Sequence, residues 1–211
     1  MIYSKKYNFL YLKNKKVGGS STEICLSQIM DKDAVVTPVL PIDERHSPRN
    51  DEKFFNHIPY SELEGLIENL SEVDSCVVVR NPYDTVLSDF FLQLEYTGNM
   101  QNYLSGDRPD FANKYFENTL RKDWRGWLKS TKDLYSKDGT IQVKNVIKYE
   151  DGIEPGINQI LEPKGLHLDL NVYQKAHRPK EITPKDVFSE KQMQDIAHEW
   201  SWEFDKFKYN L

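Results

Sequence analysis

Short unbroken apolar runs alternate along the chain with longer stretches whose apolar residues stand three and four apart, the rhythms of strand and helix respectively. Tyr7 to Leu12 (YNFLYL) reads as a strand, and Lys13 to Ser21 as a glycine-containing loop. Ile24, Cys25, Gln28 and Ile29 then recur at helical spacing. Ala34 to Val39 predicts a second short strand, which Pro38 assigns to an edge or a terminus. Ser61-Glu62-Leu63-Glu64 has the pattern of a capping box opening a helix that carries Leu63, Leu66, Ile67 and Leu70. Ser75 to Arg80 (SCVVVR) is the run expected of a strand buried on both faces, central in a parallel sheet.

Beyond that strand, Asn81 caps and Pro82 opens a helix whose apolar stripe is Val86, Leu87, Phe90, Phe91 and Leu94. Thr97 to Asp110 reads as a loop over a site. Phe111 to Tyr135 reads as a helical region with Phe111, Tyr115, Leu120 and Leu128, and with Trp124 and Trp127 as core residues. Val143 to Tyr149 predicts a further strand, followed by Glu150 and Asp151. Ser189 to Gln192 caps a last helix carrying Met193, Ile196, Trp200 and Phe204. Strands alternating with helices predict an α/β fold, a mainly parallel central sheet flanked by helices. A length of 211 residues fits a single domain spanning 1–211.

Composition narrows the function classes. Hydrophobic residues at 38 % and aromatics at 12 % are those of a folded globular chain. No stretch approaches the ~20 apolar residues of a membrane span, and the first residues lack the core and cleavage site of a signal peptide. Cys25 and Cys76 each sit within an apolar run, as buried thiols do in a reducing compartment, so a cytoplasmic location is expected. Twenty-eight Lys and Arg against thirty-three Asp and Glu give a net charge of −5, so neither nucleic acid nor a membrane is expected as partner. An anionic ligand has to be held by local groups. His46, His57, His167, His177 and His198 show no ligand spacing, and no metal is expected.

Local groups of that kind occur where the first strand gives way to the first helix, in Lys16-Val17-Gly18-Gly19-Ser20-Ser21-Thr22. Two glycines let the backbone turn its amides toward a ligand, Ser20, Ser21 and Thr22 add hydroxyls, and the helix presents its positive end to an anion. Lys16 adds a mobile charge at the lip. A Walker loop places its lysine after the last glycine, whereas Lys16 precedes Gly18. Lys-x-Gly-Gly-Ser-Ser after a strand such as FLYL instead resembles the 5′-phosphosulfate loop of carbohydrate-type sulfotransferases, although that loop carries proline before the lysine and threonine after it, where this chain has Lys15 and Val17.

The same enzymes have a second strand–helix unit with Arg at the strand end, then Asp or Asn and Pro, and a Ser eight residues after the Arg. Arg80-Asn81-Pro82 and Ser88 fit each of those places. Ser88 also points away from the Val86, Leu87, Phe90, Leu94 stripe, so packing does not account for it. The resemblance covers Phe9 to Phe91 and returns at Ile147-Lys148-Tyr149-Glu150-Asp151. It implies a P-loop NTPase-like sulfotransferase architecture and 3′-phosphoadenosine 5′-phosphosulfate (PAPS) as co-substrate, with the bisphosphate PAP as product. In that reading residues 16–22 hold the 5′-phosphosulfate, and Arg80 and Ser88 hold the 3′-phosphate. The acceptor is a carbohydrate or small-molecule hydroxyl or amine.

Sulfuryl transfer needs a charge clamp on the leaving oxygen, which Lys16 and the loop amides can supply, and a base, which the loop lacks. His57, just ahead of the Ser61 helix, resembles the base-bearing segment of uronyl 2-O-sulfotransferases, and its near-neutral pKa suits the task. His46, Asp43 and Glu44 are the reserve. Arg178 and Lys180 resemble the basic segment that closes over the 3′-phosphate in this superfamily, beside the reading of a solvated basic turn. Two other functions stand against the transferase: a kinase on a related fold, and a nucleotide-binding module without chemistry.

Overall fold

A computed structural model describes residues 1–106, 108–120, 129–172, 178–179 and 181–210. Trp124, Trp127, Leu128, His177 and Lys180, named above, lie outside them. The chain divides into two compact units, Met1–Arg80 with Thr131–Gln174, and Asn81–Ser130 with Lys175–Leu211.

The first unit is α/β. Its five-stranded sheet comprises β1 (Ile2–Ser4), β2 (Phe9–Leu12), β3 (Val35–Val36), β4 (Asp74–Val79) and, late in the chain, β7 (Asn145–Lys148). Spatially the order is β3-β1-β2-β4-β7. β4 pairs parallel with both β2 and β7, while β1 pairs antiparallel with β2 and β3. The sheet is therefore mixed, and its parallel part is β2, β4 and β7. The cause is the tight turn Lys5 to Asn8, closed by Asn8 N–H to the Lys5 carbonyl at 3.3 Å. A connection that short can only reverse the chain, whereas parallel neighbours need a crossover.

Phe9, Tyr11, Cys76 and Val78, alternating along β2 and β4, share one apolar cluster with Ile24, Cys25 and Leu26 of α1 (Gly19–Ile29) and with Ile153, Ile157 and Leu161 of α6 (Ile153–Leu161). Leu10, Leu12, Val77 and Val79 on the other face are also buried, as SCVVVR required. Cys25 and Cys76 are both buried free thiols. β3 is an edge strand, as Pro38 indicated, but only two residues long. A hairpin of β5 (Ser136–Lys137) and β6 (Thr140–Ile141) completes the strands of the described residues.

Expected and observed elements differ in further places. The Ser61 helix is a single turn, α2 (Tyr60–Leu63), with Pro59 at its N-cap. Gly65 favours no helix, and Asn69 takes a left-handed φ of 51°, so the Leu66 and Ile67 periodicity is not extended. The expected loop of residues 97–110 contains α4 (Met100–Ser105) and the start of α5 (Arg108–Tyr115). Fully buried Tyr103 anchors that segment.

The second unit is helical: α3 (Pro82–Tyr96), α4, α5 with a π-turn at Phe116–Leu120, α7 (Pro184–Val187), α8 (Glu190–Glu199) and α9 (Ser201–Phe207). Its core is aromatic, Phe90 meeting Phe91, Tyr103, Tyr115 and Phe188 edge-on with centroids 5.2–5.9 Å apart. Asn81 caps α3 through its Oδ1, which accepts from Tyr83 N–H at 2.9 Å, with Pro82 next. Ser189 and Gln192 form the reciprocal capping box of α8. The last helical stretch breaks at Trp200, so Phe204 belongs to α9.

No helix of the described residues is long and apolar enough to cross a membrane.

Candidate functional site

β2, β4 and β7 run parallel, so their carboxyl ends lie along one edge of the sheet, where α/β folds bind ligands. Lys13, Arg80 and Tyr149 follow directly from those three ends. Asn14 ties the first end to the second, its Nδ2 donating to the Val78 carbonyl at 3.0 Å and its Oδ1 accepting from Lys15 N–H at 2.7 Å.

From Asn14 the chain turns through Lys16, whose φ of 59° is left-handed and costs a non-glycine residue about 1 kcal/mol. Arg80 secures that turn, its Nη1 donating to the Lys16 carbonyl at 3.2 Å. Gly18 follows at φ 76° as the N-cap of α1, with no side chain capping the helix. The first amides of α1 therefore depend on whatever the loop or a ligand offers. Gly18 is needed for its left-handed φ, where a Cβ would also stand 3.2 Å from Ile153 Cδ1, and a Cβ on Gly19 would press on Lys13 Cγ at 3.0 Å.

The loop's residues do not all face outward. Lys16 and Ser20 are half-buried and Gly18 is exposed, but Val17 is a core residue. Thr22 is buried, and its hydroxyl donates to the Gly18 carbonyl at 3.2 Å. Those two side chains serve the fold and Gly19 is buried, which leaves Lys16, Gly18 and Ser20 as the open part of the expected anion loop. Ser21, 7 % exposed, stands between the two groups.

Beneath the loop lies a buried polar cluster. Glu23, with no exposed surface, receives the Lys13 ammonium and the Met1 ammonium. Burial alone would push its carboxyl up, but the two cations outweigh burial and hold it below its ordinary value. Thr37 joins the cluster, its hydroxyl 2.9 Å from Asn56 Oδ1 and 3.4 Å from Glu23. Asn56 Nδ2 donates to the Pro38 carbonyl.

The next residue is His57, left-handed at φ 62°, with Nδ1 3.1 Å from the Lys13 carbonyl. A carbonyl only accepts, so Nδ1 carries the proton and Nε2 keeps the lone pair, the tautomer a base requires. Burial, then the charge of Lys13, lowers the pKa of His57 from 6.5 to about 4. The imidazole is neutral at pH 7 and half-buried.

The reserve bases are arranged otherwise. His46 is 7 % exposed, and its Nε2 donates to the Thr37 carbonyl at 2.9 Å, leaving Nδ1 buried without a hydrogen-bond partner. Asp43 is held by Arg45 through two bonds of 2.9 and 2.8 Å. Glu44 is exposed. None is joined to the loop as His57 is.

Arg80 itself lies over the Tyr149 ring, 4.3 Å from the centroid. Ser88 and Arg178 belong to the second unit. Ser88 is half-buried, whereas Val86, Leu87 and Phe90 are buried, as the helical stripe required. Arg178 pairs with Asp84 and donates through Nε to the Ile182 carbonyl at 3.0 Å. Asp84 precedes Ser88 by one helical turn, so Arg178 reaches the same face of α3.

The anion loop and Arg80 were legible as motifs. Lys13, Asn14, Glu23, Asn56 and Tyr149 were not assigned roles in the sequence reading, since their partners are distant in the chain. Among the described residues no group of three His, Cys, Asp or Glu could hold a metal. Comparison of the chain with protein-family models, curated proteins and solved structures returns no match.

Proposed function

We propose that the chain is a PAPS-dependent sulfotransferase that binds the nucleotide at the carboxyl ends of β2, β4 and β7 and transfers its sulfuryl group to a hydroxyl or amine of a carbohydrate or small molecule. The observation that carries this reading is the meeting, in one unit, of the glycine turn and helix N-terminus, Arg80 on the Lys16 carbonyl, and a histidine bonded to the first residue of the loop.

In the reaction an acceptor oxygen attacks sulfur, the bond from sulfur to the 5′-phosphate oxygen breaks, and PAP leaves. Lys16 and the first amides of α1 meet the charge that grows on the departing oxygen. Nε2 of His57 takes the acceptor proton. A pKa of about 4 makes free His57 a weak base. The cations Lys13 and Lys15 contribute to that low value, and a bound polyanion would counter them and raise His57 toward the useful range. Arg80, a planar fork of donors, suits the nucleotide's second phosphate.

Thermal shift separates this nucleotide from its relatives. PAP should stabilise the protein by a few kcal/mol at saturation and AMP far less. Equal shifts with PAP and AMP would remove the role given to Arg80.

A further inference from the structure

We propose, building on that nucleotide reading, that Tyr149 is a positioning residue that fixes the plane of Arg80 and through it joins the phosphate grip to the Lys16 turn. Tyr149 follows β7 directly and opens a short turn, Tyr149–Asp151. Its ring lies under the Arg80 guanidinium, 4.3 Å from centroid to Cζ. It also closes the space beside the glycine turn, standing 3.7 Å from where a Gly18 Cβ would be. One ring therefore borders two anion-binding features, one from β2 and one from β4.

A ring-face contact occupies the flat face of a guanidinium and none of its N–H groups. The donors lie in the guanidinium plane, and a fork that grips a phosphate through two bonds must be held at the correct tilt. Tyr149 sets that tilt. Arg80 Nη1 meanwhile holds the carbonyl of left-handed Lys16. A guanidinium freed from the ring would swing, weakening the phosphate grip and loosening the lysine turn together. The aromatic face carries the effect, and the Tyr149 hydroxyl does not.

The test is calorimetric binding of PAP and AMP to wild-type protein, Tyr149→Phe, Tyr149→Leu and Tyr149→Gln, each first checked by thermal melting. Tyr149→Phe should match wild type within about twofold. Tyr149→Leu and Tyr149→Gln should weaken PAP roughly tenfold, the worth of a partly desolvated cation–π contact, and should weaken AMP, which keeps only the 5′-phosphate met by the Lys16 turn, by clearly less. A loss shared equally by PAP and AMP, or a Tyr149→Phe as weak as Tyr149→Leu, overturns the proposal. So does unchanged PAP affinity in a folded Tyr149→Leu or Tyr149→Gln while the wild type binds PAP. Should Leu and Gln both melt early, the Phe comparison still decides. Wild-type protein that fails to bind PAP would instead remove the nucleotide reading itself.

Discussion

Replacing His57 by Asn tests the electrostatics of the candidate base, because Asn tolerates the left-handed backbone that His57 occupies. His57 ionises near 6.5 when unfolded and at about 4 in the fold, so between those values the unfolded chain binds the extra proton and stability falls as pH falls. From pH 6.5 to 5.0, at about 1.36 kcal/mol for each tenfold in proton concentration, the loss is about 2 kcal/mol. Partial solvent exposure reduces it to ~1–2 kcal/mol. Above pH 6.5 the stabilisation is fully present. Urea unfolding at pH 7.5 and 5.0 measures it, the wild type losing ~1–2 kcal/mol more than His57→Asn over that interval. Equal losses in both proteins would show that His57 is not held neutral by Lys13 and burial. The same variant should keep PAP affinity and lose about 10²–10⁴-fold in turnover, the usual worth of a positioned base.

Lys16→Ala should lower kcat more than it weakens PAP, since its charge acts on the leaving oxygen; a loss confined to binding would move Lys16 to a ground-state role. Glu23→Gln removes the charge from a carboxylate with no exposed surface and leaves the Lys13 ammonium, 7 % exposed, without its counter-charge. Denaturant unfolding should register a loss of about 3 kcal/mol. Gly18→Ala imposes a side chain at φ 76°, facing Ile153 Cδ1 at 3.2 Å, and should cost about 1–2 kcal/mol in the same assay while weakening PAP.

How much of this was legible depended on how local each cause is. SCVVVR announced a strand buried on both faces, and Asn81-Pro82 announced the start of α3, because a run and a cap are written in consecutive residues. Ser88 likewise sits off the apolar stripe of α3. β1 was missed because three residues carry too little pattern to stand out. The β5–β6 hairpin was missed although Asp138-Gly139, both at positive φ, is the strongest short hairpin signal there is. Thr97 to Asp110 read as a loop because its polar composition concealed Tyr103, whose burial turns that stretch into helix. In the site, the glycine turn and Arg80 could be read as motifs. That Val17 and Thr22 face inward could not, because the turn of the loop decides it. The Lys13–Glu23 pair and the bond from His57 to the Lys13 carbonyl join residues 10 and 44 positions apart, and no spacing rule foretells such contacts.

Incubation of the protein with sulfate-labelled PAPS and a panel of sugar, phenol, alkyl-alcohol and amine acceptors tests the central claim most directly. The account predicts a labelled product with stoichiometric release of PAP, abolished or strongly reduced in Lys16→Ala and lowered about 10²–10⁴-fold in His57→Asn. Tight PAP binding with no labelled product from any acceptor class would contradict it and leave a nucleotide-binding module. Phosphoryl transfer from ATP in the parallel arm would make the protein a kinase instead.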